Sequence, residues 1–255
     1  MSSGQPRTLN RKGGDTIAYH ATLGKSPGVL FCSGYRSDMN GTKVLALEDW
    51  GRSQGRAFLR FDYSGHGSSA GKFEGLTLSQ WIDDALVVLD TLAKGPQVIV
   101  GSSMGAWVML HLALARPDRV VGLVGVAAAP DFTEDMMWGT ADDAARTYLL
   151  EHKVWRQLSA DGENETVITL GLIEDGRKHL VLRDPIPLEV PVRLIHGTDD
   201  RSVPWQTSER LMEQLVSKDV TLSLVKGGQH RLSKPEDIEL LIGTVGRLLA
   251  QLDTG

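Results

Sequence analysis

The sequence predicts an α/β protein: a mostly parallel central sheet flanked by helices, with a helical cap inserted before the strand that begins at Val192. Three observations carry that expectation. Short β-rich runs alternate with segments of helical period. Two runs, Thr77-Leu78-Ser79-Gln80 and Ser233-Lys234-Pro235-Glu236, read as capping boxes that open helices. A Gly-Ser turn joins one strand directly to one helix at Gly101–Gly105.

Taken in order, Leu9-Lys12 and Thr16-His20, joined by Gly13-Gly14-Asp15, form an opening hairpin. The strands that follow are Val29-Cys32, Ala57-Phe61, Val98-Val100, Val120-Val126, Val192-Ile195 and Val220-Val225. Between the second and third of these, Leu78, Trp81, Ile82, Ala85, Leu86 and Leu89 repeat at helical spacing, and Gly95-Pro96 ends the run. At the end of the chain Ile238, Leu241, Ile242, Val245, Leu248, Leu249 and Leu252 form one apolar stripe, expected to lie on the sheet. From about Asp131 to Val190 the alternation breaks. That stretch reads as helical and acidic, and an insertion of such length usually covers something. The expected division is a core of residues 1–130 and 191–255 with a helical cap over 131–190.

Composition narrows the possibilities. With 255 residues the chain can bury a sizeable core, and its apolar and charged fractions are those of a globular protein. A formal charge of −5 without a basic run argues against nucleic acid. The lone Cys32 can form no internal disulfide and no cysteine cluster offers a zinc site. The N-terminal Met1–Pro6 lacks the apolar core of a signal peptide, and no apolar stretch reaches the length of a membrane span. A soluble, cytoplasmic protein without cofactor or metal is expected.

Gly101-Ser102-Ser103-Met104-Gly105 fits G-x-S-x-G, with Ser103 central. The strand-like Gln97–Val100 before it and the helix-like Ala106–Ala113 after it supply the setting of a nucleophile elbow, whose sharp turn exposes the serine hydroxyl. Ser102 lacks the register between flanking glycines. No Lys follows as a phosphate-binding loop requires.

A serine hydroxyl needs a base, and the base needs an orienting carboxylate. The turn after the strand ending His196-Gly197 holds Asp199 and Asp200. Asp200 opens a D-x-x-V-P run and is the preferred acid, with Asp199 the alternative. The strand Leu222–Val225 runs into Lys226-Gly227-Gly228-Gln229-His230, which makes His230 the base. Of the other histidines, His196 is expected to make a structural hydrogen bond and His66 to organise its own turn. The oxyanion requires backbone donors, and the amides of Met104 and of Tyr35, directly after Gly34, are the candidates. Cys32 is expected to be inert core.

Together these residues resemble the α/β-hydrolases. Further motifs, among them Arg60-Phe61-Asp62-Tyr63-Ser64-Gly65, His111 to Pro117, Asp184-Pro185-Ile186-Pro187 and His230-Arg231, resemble the acyl-protein thioesterase and acyl-glucuronide esterase branch of that family. The resemblance implies Ser103 as nucleophile, Asp200 as acid and His230 as base. It also implies hydrolysis of esters or thioesters on a small molecule or an acylated protein. Met136, Met137, Trp138 and Trp155 then either line an acyl pocket above Ser103 or pack the cap onto the body. A binding protein that uses the same pocket without turnover, or a carbon–carbon bond hydrolase, is the alternative.

Overall fold

The computed structural model describes residues 4–11, 14–158 and 165–254. Met1–Ser3 and the hairpin residues Lys12 and Gly13 therefore lie outside the described residues. In chain order the first six strands are β1 (Arg7–Asn10), β2 (Thr16–Thr22), β3 (Lys25–Cys32), β4 (Arg56–Phe61), β5 (Gln97–Ser102) and β6 (Val120–Val126). Two short strands, β7 (Val154–Leu158) and β8 (Glu165–Thr169), lie in the insertion, and β9 (Val192–Gly197) and β10 (Val220–Val225) follow it. All but β7 and β8 form one eight-stranded sheet in the spatial order β1-β2-β4-β3-β5-β6-β9-β10. The pairings β1–β2 and β2–β4 are antiparallel; from β4 to β10 the pairing is parallel.

Helices cover both faces, as parallel strands demand. They are α1 (Thr42–Ser53), α2 (Leu78–Leu92), α3 (Met104–Ala115), then α4 (Asp143–His152) and α5 (Leu170–Gly176) within the insertion, and finally α6 (Gln206–Gln214) and α7 (Pro235–Asp253). One core layer joins α2 and α3 to the sheet through Trp81, Val88, Trp107 and Leu110, all fully buried. The other sets α1 and the stripe of α7 (Leu241, Val245, Leu248, Leu249) against Val29, Val98 and Val124. Nearly every side chain of α3 from Met104 to Leu112 is buried, so this helix is held on all sides and cannot shift the residue that precedes it.

The insertion between β6 and β9 departs from the expected all-helical form. A π-helical turn (Thr133–Trp138) and α4 lead into the antiparallel hairpin of β7 and β8, and α5 follows. Thr166-Val167-Ile168-Thr169 is a β-branched run, and branching at Cβ favours the strand. Asp131, fully buried at φ +57°, ties the two stems of the insertion together by accepting from the amides of Val181 (2.8 Å) and Leu182 (2.9 Å).

Both expected capping boxes are altered. At the start of α2 no side-chain cap comes from Thr77; the carboxylate of Asp175, on α5, accepts from the Ser79 amide and hydroxyl at 2.7 Å each. Burial alone would raise the Asp175 pKa, but these bonds hold it below the ordinary carboxylate value. A tertiary contact has taken over a local role. In α7 the box sits one residue later than expected, with the Lys234 amide donating to Asp237 at 3.1 Å and Pro235 in the first helical turn.

Candidate active site

Ser103 sits between β5 and α3 at φ +55° and ψ −121°, a region that L-residues rarely adopt and that costs of order 1–3 kcal/mol. Two glycines permit the turn. A Cβ on Gly105 would stand 2.0 Å from the Cys32 carbonyl oxygen, and one on Gly101 would stand 2.5 Å from Ala106 backbone. The Ser103 amide donates to Val126 O at 2.9 Å, which fixes the turn against β6 and leaves the hydroxyl free to point outward.

His230 Nε2 lies 3.1 Å from Ser103 Oγ, and His230 Nδ1 lies 2.7 Å from Asp200 Oδ2. The imidazole is about one-quarter exposed and the carboxylate wholly buried. The loops that carry them are pressed together: a Cβ on Gly197 would meet Gly228 O at 2.1 Å. Asp199, the alternative acid, is exposed and its amide bonds Gly228 O instead. Ser102 lines the cleft but makes no such chain.

Asp200 accepts more than one bond. Its Oδ1 takes the amides of Ser202 and Val203 at 2.9 Å, and its Oδ2 also takes His196 Nε2 at 3.1 Å. Burial would push this carboxyl up, but hydrogen bonds from His196 and His230 outweigh it and hold Asp200 well below the usual carboxylate range. Asp200 therefore remains an anion through the working pH range. His196 is fully buried, with Ser208 Oγ at 2.7 Å from its Nδ1. The structural hydrogen bond expected of His196 thus lands on Asp200, a link between β9 and the loop after it that spacing alone does not reveal.

Near Ser103 Oγ the chain turns at Gly34-Tyr35-Arg36-Ser37, with the Ser37 amide returning to Gly34 O at 3.1 Å. A Cβ on Gly34 would touch the Ser103 Cβ at 3.3 Å, so this turn lies against the serine. Among the described residues, no protein group accepts from the amides of Tyr35 and Met104. The Tyr35 hydroxyl donates to Val167 O on β8 at 2.8 Å, which links the turn to the segment between β6 and β9. Burial of Cys32 pushes its thiol up to about 12.

Ser103 and His230 open into a cleft of about 1500 Å³. Tyr35, Phe132, Met136, Met137, Trp155 and Leu182 give it apolar walls. Trp138 is not among its lining residues. It packs beside Leu149, Ile168 and Ile173, all within the segment between β6 and β9, and lies under the Arg177 guanidinium at 4.8 Å. Its place in a run with Met136 and Met137 favours a shared role, but a π-helical turn sends consecutive side chains in different directions. Phe132 and Leu182 escape sequence reasoning, since each is one apolar residue among many until the stems of the insertion close. Among the described residues no cluster of His, Cys, Asp and Glu could hold a metal ion, and no helix is long and apolar enough to cross a membrane.

A parallel sheet with a serine at a strained strand-to-helix turn is the layout of one enzyme class, and the chain belongs to it: residues 29–239 match the Alpha/beta hydrolase family. The chain is 42% identical over 247 residues to the human protein named Palmitoyl-protein thioesterase ABHD10, mitochondrial, covering 96% of this chain and 80% of that one. The solved structure of alpha/beta hydrolase domain-containing protein 10 from mouse superposes with a TM-score of 0.92 at 40% identity, covering 98% of this chain and 100% of that one. Est1E from Butyrivibrio proteoclasticus, with ferulic acid bound, shares the fold alone, at a TM-score of 0.79 and 21% identity over 95% of this chain and 98% of that one. The expectation of a cytoplasmic protein is corrected by these relatives. The human, bovine and mouse proteins are all named mitochondrial, which points away from the cytoplasm.

Proposed function

We propose that the chain hydrolyses carboxylic esters or thioesters through a covalent acyl-serine, with acyl thioesters, those of proteins included, as its substrate class. The observation that carries this is the continuous chain Ser103 Oγ, His230, Asp200 Oδ2, with links of 3.1 and 2.7 Å, at a cleft whose lining mixes apolar residues such as Met136, Met137 and Trp155 with charged ones such as Arg36, Lys43 and Arg183. The thioesterase name of the relatives favours a thiol leaving group.

In this reading Ser103 Oγ attacks the acyl carbon while its proton passes to His230 Nε2. His230 Nδ1 keeps its proton, donated to the Asp200 anion, which orients the ring and stabilises the imidazolium. The amides of Tyr35 and Met104 receive the carbonyl oxygen as it becomes negative; such a donor contributes about 2.7–4 kcal/mol to the transition state. The imidazolium then protonates the departing thiolate or alkoxide. A water molecule, deprotonated by His230, attacks the acyl-serine and releases the acid and the free Ser103.

Residues 131–190 act in this reading as a cap, and Met136, Met137 and Trp155 accept the acyl chain. A fluorophosphonate probe read by intact mass tests the nucleophile. One adduct on the unsubstituted protein and none on Ser103→Ala is expected; equal labelling of both refutes it.

A further inference from the structure

The loop that carries the Tyr35 amide is bound to the body of the protein by the run that follows β4. Asp62 Oδ1 accepts from the Met39 amide at 2.7 Å, at the far end of the loop. At the near end, the Arg36 amide points at His66 Nε2 at 3.2 Å. Arg36 stands at φ +58°, an unfavourable conformation for a residue with a Cβ, so something must hold its peptide there.

An amide N–H can only donate, so His66 Nε2 must be the bare nitrogen of a neutral ring. The proton then sits on Nδ1, where the Ser64 carbonyl oxygen is 3.2 Å away to accept it. The two contacts agree on one tautomer. The surroundings allow little else: His66 is buried, edge-on to Phe73 (5.0 Å) and Trp81 (5.3 Å). The same Phe73 and Trp81 rings flank the Tyr35 ring. The Ser64 carbonyl is itself placed, since the Ser64 amide and hydroxyl are both held by the buried Asp84 on α2. Burial, reinforced by the nearby Arg36 charge, lowers the basicity of His66, in keeping with the neutral form that the geometry requires.

We propose that His66 is a positioning residue for the oxyanion hole: as the neutral Nδ1–H tautomer it grips the Arg36 amide and so fixes the preceding peptide, whose N–H is that of Tyr35. This rests on the reading of Tyr35 as an oxyanion donor. His66 touches no reacting atom. Its effect belongs to the transition state, because the carbonyl oxygen presses on the Tyr35 amide hardest when it carries negative charge.

Kinetics on an ester or thioester series with His66→Leu and His66→Gln test it. In Leu the acceptor is gone; in Gln a carbonyl oxygen can stand where Nε2 stood. His66→Leu is expected to lower kcat by about 10- to 100-fold, a part of what losing a whole oxyanion donor costs, with KM within about threefold. His66→Gln is expected to recover most of the loss. The inference is overturned if Leu raises KM at unchanged kcat, or if Gln is no better than Leu, which would make His66 a packing residue. Should Leu not fold, the ¹⁵N spectrum of the unsubstituted protein decides, because an Nε2–H tautomer of His66 at neutral pH overturns the inference equally. Absence of turnover by the unsubstituted protein would instead sink the hydrolase reading and leave the tautomer measurement standing.

Discussion

Replacing Asp200 by Asn separates orientation from mere proximity at the site. The side chain keeps its shape, and one oxygen can still accept from the Ser202 and Val203 amides, so the loop should hold. What changes is the atom that faces His230 Nδ1 at 2.7 Å: an NH₂ group replaces an oxygen. Two donors cannot share that gap, so His230 gives up its Nδ1 proton and takes the Nε2–H tautomer. Nε2 then points a proton at Ser103 Oγ across 3.1 Å and can no longer receive one. In serine proteases of unrelated fold the equivalent substitution lowers kcat by about 10⁴ for this geometric reason. The expected loss here is about 10³- to 10⁴-fold, or about 4–5.5 kcal/mol at 1.36 kcal/mol per decade. His196 Nε2 keeps the Val203 carbonyl oxygen at 3.1 Å, so melting should remain cooperative. The assay is steady-state ester or thioester hydrolysis at about pH 7.5, well above the carboxyl range, alongside the rate of fluorophosphonate labelling, with Asp199→Asn as companion. Asp199 is exposed and should stay within about threefold of the parent, as surface substitutions do. A folded Asp200→Asn protein that loses less than about tenfold, or an Asp199→Asn protein that loses as much as Asp200→Asn, would overturn this account of the triad.

Three other outcomes follow from the same structure. Because the Asp200 carboxyl is held well below its unfolded value, its contribution to stability is complete above the unfolded carboxyl pKa, about 4, and is lost as the pH falls through the folded value; acid unfolding followed by circular dichroism should show the parent losing more stability below about pH 4 than Asp200→Asn does. Met137→Ala should cut kcat/KM for long-chain acyl substrates by about tenfold while sparing acetyl substrates, since removing apolar pocket wall costs about 1–3 kcal/mol of differential binding; an equal effect on both lengths would show that the chain lies elsewhere. Gly105→Ala should abolish soluble expression, because the new Cβ would sit 2.0 Å from the Cys32 carbonyl oxygen between β3 and α3, and a near-normal melting temperature would contradict that geometry.

Much of the fold can be read from local pattern. β6 and β10 have the expected bounds, and the other expected strands of the parallel region lie inside longer observed ones, because short, largely apolar runs suit the buried strands of a parallel sheet. The insertion is harder. Val154–Leu158 and Glu165–Thr169 are each five residues long and become strands only by pairing with each other, which a helical reading of their neighbours hides. The caps of α2 and α7 show the same limit on a smaller scale. Thr77 has the residue type for a cap, yet Asp175 on α5 reaches the helix start from 96 residues away and displaces that role.

For the site, chain order and turn chemistry suffice to nominate Ser103, His230, Asp200 and the amides of Tyr35 and Met104. Each stands just past the end of a strand, and parallel strands deliver their ends to one edge of the sheet. Local sequence is enough to specify that edge, since strand periodicity and glycine-bearing turns act over a few residues. Folding is needed to settle which aspartate meets His230, which of Met136, Met137, Trp138 and Trp155 face the cleft, and that His66 grips the Arg36 amide 30 residues away. Those outcomes depend on where a side chain points after two loops have closed on each other, and orientation across a closed interface is not a property of any short run of residues.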